Sequence, residues 1–165
     1  MRSLLRSLGL AFLLISSIPA TLAPAATKTA KFNVTATVQN DCTVNATNLA
    51  FGTVGLLSEN VDATSTITVT CTPQTPYSVG LNEGTVAGST VDTRLMASGS
   101  STIEFQLYSN AARTQVWGQT PIVNTVGGMG NGQATNFTVY GRIRPQAPAP
   151  KAGDYATEIT ATIIY

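Results

Sequence analysis

The stretch AKFNVTATV, residues 30–38, alternates apolar and polar side chains at every position. Successive side chains of a β-strand point to opposite faces, so this pattern predicts a strand with one apolar face and one polar face. Thr and Val, which favour strands, recur throughout the chain, and helix signals are nearly absent after the N-terminal region. The apolar face is formed by Ala30, Phe32, Val34, Ala36 and Val38.

The same alternation returns several times along the chain. Residues 63–71 (ATSTITVTC) alternate, and so do residues 103–108, 137–142 and 155–165. Many short strands separated by turn signals predict a β-sandwich or barrel, so the fold class is all-β. In the last of these strands the apolar positions, again two residues apart, are Ile159, Ala161, Ile163 and Tyr165.

Two shorter segments carry expectations of their own. Residues 49–52 (LAFG) are predicted to form a short strand. The run GGMGNG, residues 127–132, is predicted to be a flexible hairpin tip, because no helix with Lys and Ser or Thr follows it as a phosphate loop would require.

The first 26 residues have the layout of a secretory signal peptide. Arg2 and Arg6 form a basic start, residues 8–15 (LGLAFLLI) an apolar core, and small residues follow. We expect cleavage after Ala25 or Ala26, export, and a mature protein without a transmembrane anchor, since spanning a bilayer takes about 20 apolar residues. A retained N-terminal anchor is the alternative.

Charge and composition argue against several functions. Removing Arg2 and Arg6 from the 9 basic residues leaves 7 against 8 acidic ones, a net charge of 7 − 8 = −1, which is no footprint for nucleic acid or an anionic membrane. The absence of histidine excludes Ser-His-Asp and Cys-His catalysis and leaves a poor zinc ligand set. Asp92 and Glu104 are candidate paired carboxylates of a glycosidase, but neither has a marked sequence context. We therefore expect no enzyme, no cofactor and no metal.

Cys42 and Cys71 are the only cysteines. In an exported chain a single pair is expected to form a disulfide, and two free buried thiols are the alternative. The strand at residues 30–38 also leaves two interpretations open. It is either an edge strand of its own sheet, or it leaves its own domain and pairs with the sheet of a neighbour by β-strand addition.

A series of short motifs occurs in an order that resembles a known family. They are CTV (42–44), LAFG (49–52), ITVTC (67–71), PYSVGLN (76–82), RLM (94–96), FQLY (105–108), YGRI (140–143), GDY (153–155) and the terminal Tyr165. The set resembles the spore coat protein U domain, which is shared with subunits of Csu-type, archaic chaperone–usher pili.

This resemblance implies an immunoglobulin-like β-sandwich that lacks one strand, over residues 41–165, with a donor strand at residues 27–40. A periplasmic chaperone would fill the gap during export, and an outer-membrane usher would exchange it for the donor strand of a neighbouring or related subunit. The resulting pilus would lie at the cell surface and serve adhesion or biofilm formation. We expect the donor strand's apolar face to insert into the next subunit, and the C-terminal strand to face the chaperone. Two alternatives remain: a secreted coat or matrix protein that uses no usher, and a monomeric ligand-binding sandwich.

Overall fold

The computed structural model describes residues 24–165. The predicted signal peptide, residues 1–26, therefore lies almost wholly outside the described residues. The chain divides into two units after Ala36, and every strand belongs to the second unit, Thr37–Tyr165. Residues 24–165 contain no helix, and so no helix in this part of the chain could cross a membrane.

Eight strands make up the second unit. Their bounds are β1 Cys42–Ala46, β2 Val61–Cys71, β3 Pro76–Leu81, β4 Arg94–Ser98, β5 Ser101–Tyr108, β6 Val126–Met129, β7 Ala134–Ile143 and β8 Ala161–Ile164. They form a five-stranded sheet in the order β1-β2-β7-β5-β4 and a three-stranded sheet in the order β6-β3-β8, and all pairs are antiparallel. The predicted all-β sandwich is confirmed.

The long strands β2 and β7 form the centre of the larger sheet. Their register pairs Val61 with Ile143 and continues to Thr70 and Ala134. Toward the end of β2, Ile67, Val69 and Cys71 are buried while the residues between them are more exposed, which is the alternation that the sequence predicted. The core joins both sheets, because Val79 and Leu81 of the smaller sheet belong to the same buried cluster.

Three short segments differ from the sequence prediction. Residues 49–52 form no strand, and residues 127–129, predicted as part of a loop tip, lie in β6 on the edge of the smaller sheet. The glycines in β6 allow this pairing, because a Cβ on Gly127 would lie 3.0 Å from the carbonyl oxygen of Tyr77. The C-terminal strand is shorter than predicted, since regular pairing covers only Ala161–Ile164 of residues 155–165.

Residues 24–41 contain neither helix nor strand. The apolar side chains here are exposed to an unusual degree, at 85 % for Phe32, 84 % for Val34 and 85 % for Val38. A strand is stabilised by its ladder of hydrogen bonds to a neighbour, so an alternating sequence without a paired neighbour forms no regular strand. The predicted donor strand is therefore seen here as an unpaired, exposed apolar segment.

Candidate functional site: an open groove between the two sheets

Two sheet edges meet on one side of the sandwich. Within the described chain, β1 pairs only with β2, and β8 pairs only with β3, so each strand leaves one edge unpaired. The two strands belong to different sheets and lie next to each other. The Tyr165 hydroxyl lies 3.4 Å from Oδ1 of Asp41, which joins the end of β8 to the start of β1. The sandwich is thus incompletely closed on this side.

An open cavity of about 600 Å³ lies along this side. One wall is formed by residues 46–51, from the last residue of β1 onward, and the other by residues 155–159 together with Ala161, the first residue of β8. Its floor consists of core side chains from both sheets, namely Ile67, Leu81, Phe105, Leu107 and Val139. We call this cavity the groove.

The first wall is held in place by a close approach to β7. A Cβ on Gly141 would lie 2.8 Å from Cδ1 of Leu49 and 3.0 Å from Cζ of Phe51, so only glycine leaves room for these two side chains. Phe51 also packs edge-on against Phe105, with ring centroids 6.2 Å apart. The segment predicted as a strand is therefore a packed loop, shaped by side-chain contacts rather than by a backbone ladder.

The second wall crosses from one sheet to the other. Ala156 forms two backbone hydrogen bonds with Ala97 of β4, of 3.0 and 3.1 Å, and Ala161 pairs with Leu81 of β3. From Tyr155 to Ile163 every second residue is half-buried and every intervening residue is exposed. The period of two predicted from the sequence thus extends through the wall, although regular pairing begins only at Ala161.

The predicted residues of the C-terminal strand are distributed along this wall. Ile159, Ala161 and Ile163 are half-buried and pack against the core. Tyr165 lies beyond the strand and is 54 % exposed. The predicted disulfide between Cys42 and Cys71 is present, and it joins the first residue of β1 to the last residue of β2.

The chemistry of the groove is that of a binding surface. The side chains that line it are mostly apolar. Two of its lining residues are titratable, the carboxylic acid Glu158 and the phenol Tyr155. Apolar side chains at the floor and an unpaired strand edge at the wall can bind an extended peptide, because the edge supplies backbone hydrogen bonds and the floor accepts alternate side chains.

The carboxylates Asp92 and Glu104 lie elsewhere, at a second cavity of about 270 Å³. The polar groups around them are engaged within the chain: Arg144 donates a hydrogen bond to the hydroxyl of Tyr108 at 3.0 Å, and the Gln146 amide donates to the Glu104 carbonyl at 2.9 Å. In residues 24–165 no group of three or more His, Cys, Asp or Glu side chains could hold a metal ion.

The fold and the groove define a class of all-β sandwich with one open side. The family model of the Spore Coat Protein U domain matches residues 28–162. The chain therefore belongs to the Spore Coat Protein U domain family. No curated protein matches the sequence.

A solved structure shares the fold. It is the crystal structure of the CsuC–CsuE chaperone–tip adhesion subunit pre-assembly complex from archaic chaperone–usher Csu pili of Acinetobacter baumannii. The match has a TM-score of 0.60 and 20 % sequence identity, and covers 78 % of this chain. It spans 41 % of the matched chain of that complex, so less than half of that protein is represented here.

Proposed function

We propose that this protein is a structural subunit of a surface fibre, a pilus, and that its groove receives the N-terminal segment of a neighbouring copy or a related subunit. The observation that carries the proposal is the open groove beside the unpaired edges of β1 and β8, in a chain that also has an exposed apolar segment at residues 30–38. Exposing both would be unfavourable in an isolated protein, since an uncovered sheet edge with apolar side chains promotes aggregation.

The segment has the same alternation as the C-terminal side of the groove. Residues 155–163, which comprise the second wall and its continuation along β8, and residues 30–38 each have nine positions with a period of two. At about 3.3 Å per residue each would extend over roughly 30 Å as a strand. Five apolar side chains of the segment would face the floor, while its backbone would pair with the free edge of β8.

The binding energy of such a pairing would be large. Burial of a Val or Phe side chain contributes roughly 1.5–3 kcal/mol each. Because different residues form the donor segment and the acceptor groove, each subunit can donate and accept at once. Head-to-tail contacts of this kind do not close and therefore build a fibre.

A subunit with an open groove needs protection before it is assembled. We propose that a periplasmic chaperone covers the groove by pairing with β8, and that an outer-membrane usher exchanges the chaperone for the next donor segment. The solved chaperone–subunit complex of Csu pili supports this pathway through its shared fold. The assembled fibre would lie outside the cell and contribute to adhesion or biofilm formation.

The full chain should be expressed with its chaperone and usher, with the chaperone alone, and without either, followed by electron microscopy of the cell surface. We expect fibres only when both helpers are present, and degradation of the subunit when the chaperone is missing. Normal secretion of a stable monomer without either helper would contradict the proposal and favour a coat or matrix protein instead.

A further inference from the structure

A ring of hydrogen bonds holds the chain immediately before β1. The backbone N–H of Asp41 donates to Oγ1 of Thr72 at 3.1 Å, the hydroxyl oxygens of Thr72 and Thr75 lie 2.7 Å apart, and the Thr75 hydroxyl donates to Oδ1 of Asn40 at 3.1 Å. A hydroxyl has a single proton, so Thr75, which donates to Asn40, must accept from Thr72. The ring therefore runs in one direction, from the backbone of Asp41 to the side chain of Asn40.

The turn that carries this ring is fixed to the sandwich. Thr75 is fully buried, and its backbone carbonyl accepts a 2.8 Å hydrogen bond from Gly130 beyond the end of β6. The Thr72 N–H donates to the carbonyl of Asp41 at 2.9 Å, which adds a backbone link to the ring. Cys42, the next residue, is bound to Cys71 by the disulfide.

A buried hydroxyl is costly unless it forms hydrogen bonds. The side-chain partners of the Thr75 hydroxyl are Thr72 and Asn40, and Asn40 itself is exposed. The buried hydroxyl thus connects the core of the sandwich to an exposed residue of the N-terminal segment.

The ring leaves one free residue between the proposed donor segment and the sandwich. Val38 is the last apolar residue of the proposed donor segment and Asn40 is the first residue held by the ring, so Gln39 alone lies between them. One extended residue spans about 3.5 Å. Without the hydrogen bond from Thr75, Asn40 would also be free, and two residues spanning about 7 Å would separate the donor segment from Asp41, which stays bonded to Thr72.

We propose, on the basis of the function proposed above, that Thr75 and Asn40 are positioning residues that fix the direction in which the donor segment leaves its own sandwich. The partner is the second subunit whose groove holds that segment. A joint of one free residue restricts the angles between consecutive subunits, so the ring makes the fibre stiffer.

The test is the persistence length of wild-type and variant fibres, measured by electron microscopy of fibres assembled from the full chain. Thr75→Val removes the buried hydroxyl, and Asn40→Ala removes the side chain that accepts its hydrogen bond. Because Asn40 is exposed, the second variant remains informative if the first fails to fold. Thr75→Ser keeps the hydroxyl, and Asn45→Ala is a matched change at an exposed position of β1. The unfolding temperature of each variant is measured alongside, to separate joint stiffness from the stability of the sandwich.

We expect Thr75→Val and Asn40→Ala each to shorten the persistence length by at least about twofold, because two flexible residues replace one. Thr75→Ser and Asn45→Ala should keep the wild-type value. Fibres of Asn40→Ala with unchanged persistence length would overturn the inference about the joint and leave the proposed function standing. Absence of fibres from the wild-type chain would overturn the proposed function and the joint together.

Discussion

The guanidinium of Arg94 donates a hydrogen bond of 2.7 Å to the backbone carbonyl of Trp117, and both residues are completely buried. Arg94 lies on β4 in the larger sheet, and the Trp117 indole N–H donates to Val79 in the smaller sheet at 2.9 Å. Five hydrogen bonds leave the guanidinium, all to neutral acceptors: the carbonyls of Leu81, Asn82, Val91 and Trp117 and the Gln106 side chain. Arg94 therefore links the two sheets.

Burial lowers the pKa of Arg94 to about 10, and the charges of Glu83 and Asp92 partly oppose this shift. The guanidinium is thus still protonated at neutral pH and can donate all five hydrogen bonds. We predict that Arg94→Lys lowers the free energy of unfolding by about 2–4 kcal/mol, because an ammonium has three donors and cannot replace all five hydrogen bonds of the planar, buried guanidinium. Urea unfolding of the purified chain measures this difference.

Arg144→Lys is the matched control for that substitution. Arg144 is exposed and forms one hydrogen bond, to the Tyr108 hydroxyl, so its replacement should change stability by less than about 1 kcal/mol. Equal stability of Arg94→Lys and the control variant would show that the hydrogen bonds of Arg94 do not stabilise the contact between the sheets.

The disulfide between Cys42 and Cys71 closes a loop with a sequence separation of 29 residues. We predict that replacing both cysteines by serine destabilises the fold by about 3–4 kcal/mol, since the cross-link removes loop entropy from the unfolded chain. Mass spectrometry of the mature protein should show a chain that lacks both thiol hydrogens. Two thiols that react with an alkylating reagent in the native protein would refute the pairing.

The C-terminal strand is predicted to be the surface that the chaperone contacts. Deleting residues 163–165 removes the pairs of Ile163 with Val79 and of Ile164 with Ser78, which is half of the pairing of β8. We expect this truncation to abolish chaperone binding and to leave the subunit degraded in the periplasm. Co-purification with the chaperone and the periplasmic level of the subunit are the measurements.

Point substitutions separate the two faces of the same strand. Ile163→Asp places a charge on the half-buried face and should act like the truncation, because an unpaired buried charge is costly. Thr162→Asp places the charge on the exposed face and should be tolerated. Normal levels of the truncated subunit would argue against a role of β8 in chaperone binding.

The alternating segments were the part of the fold that the sequence predicted well. Residues 63–71 and 137–142 lie within β2 and β7, because alternation with one buried face is a local signal that a single strand carries by itself. Residues 49–52 and 127–129 were predicted wrongly for a shared reason. Their conformations depend on Gly141 and on the carbonyl of Tyr77, both remote in sequence, and composition alone does not report such contacts.

The groove was predictable only in part. The apolar side chains of its C-terminal wall follow from the period of two, but the opposite wall at residues 46–51 and the cavity itself arise from the meeting of β1 and β8 at one side. The ring at Thr75 was not predicted, since threonines near prolines suggest only a turn. A pair of threonines three residues apart within such a turn, Thr72 and Thr75, is the signal that was available.

The central claim is that the segment at residues 30–38 enters the groove of another subunit. Val34→Asp tests it most directly, because the charge would lie at the middle of the inserted apolar face, and Thr35→Asp places the same charge on the opposite face of the segment. The measurement is the ladder of heat-resistant polymers that the chain forms on gel electrophoresis when expressed with its chaperone and usher. We predict that Val34→Asp gives a folded, chaperone-bound subunit without polymers, whereas Thr35→Asp still polymerises. A normal ladder from Val34→Asp would contradict the account, since the segment would then not be the donor.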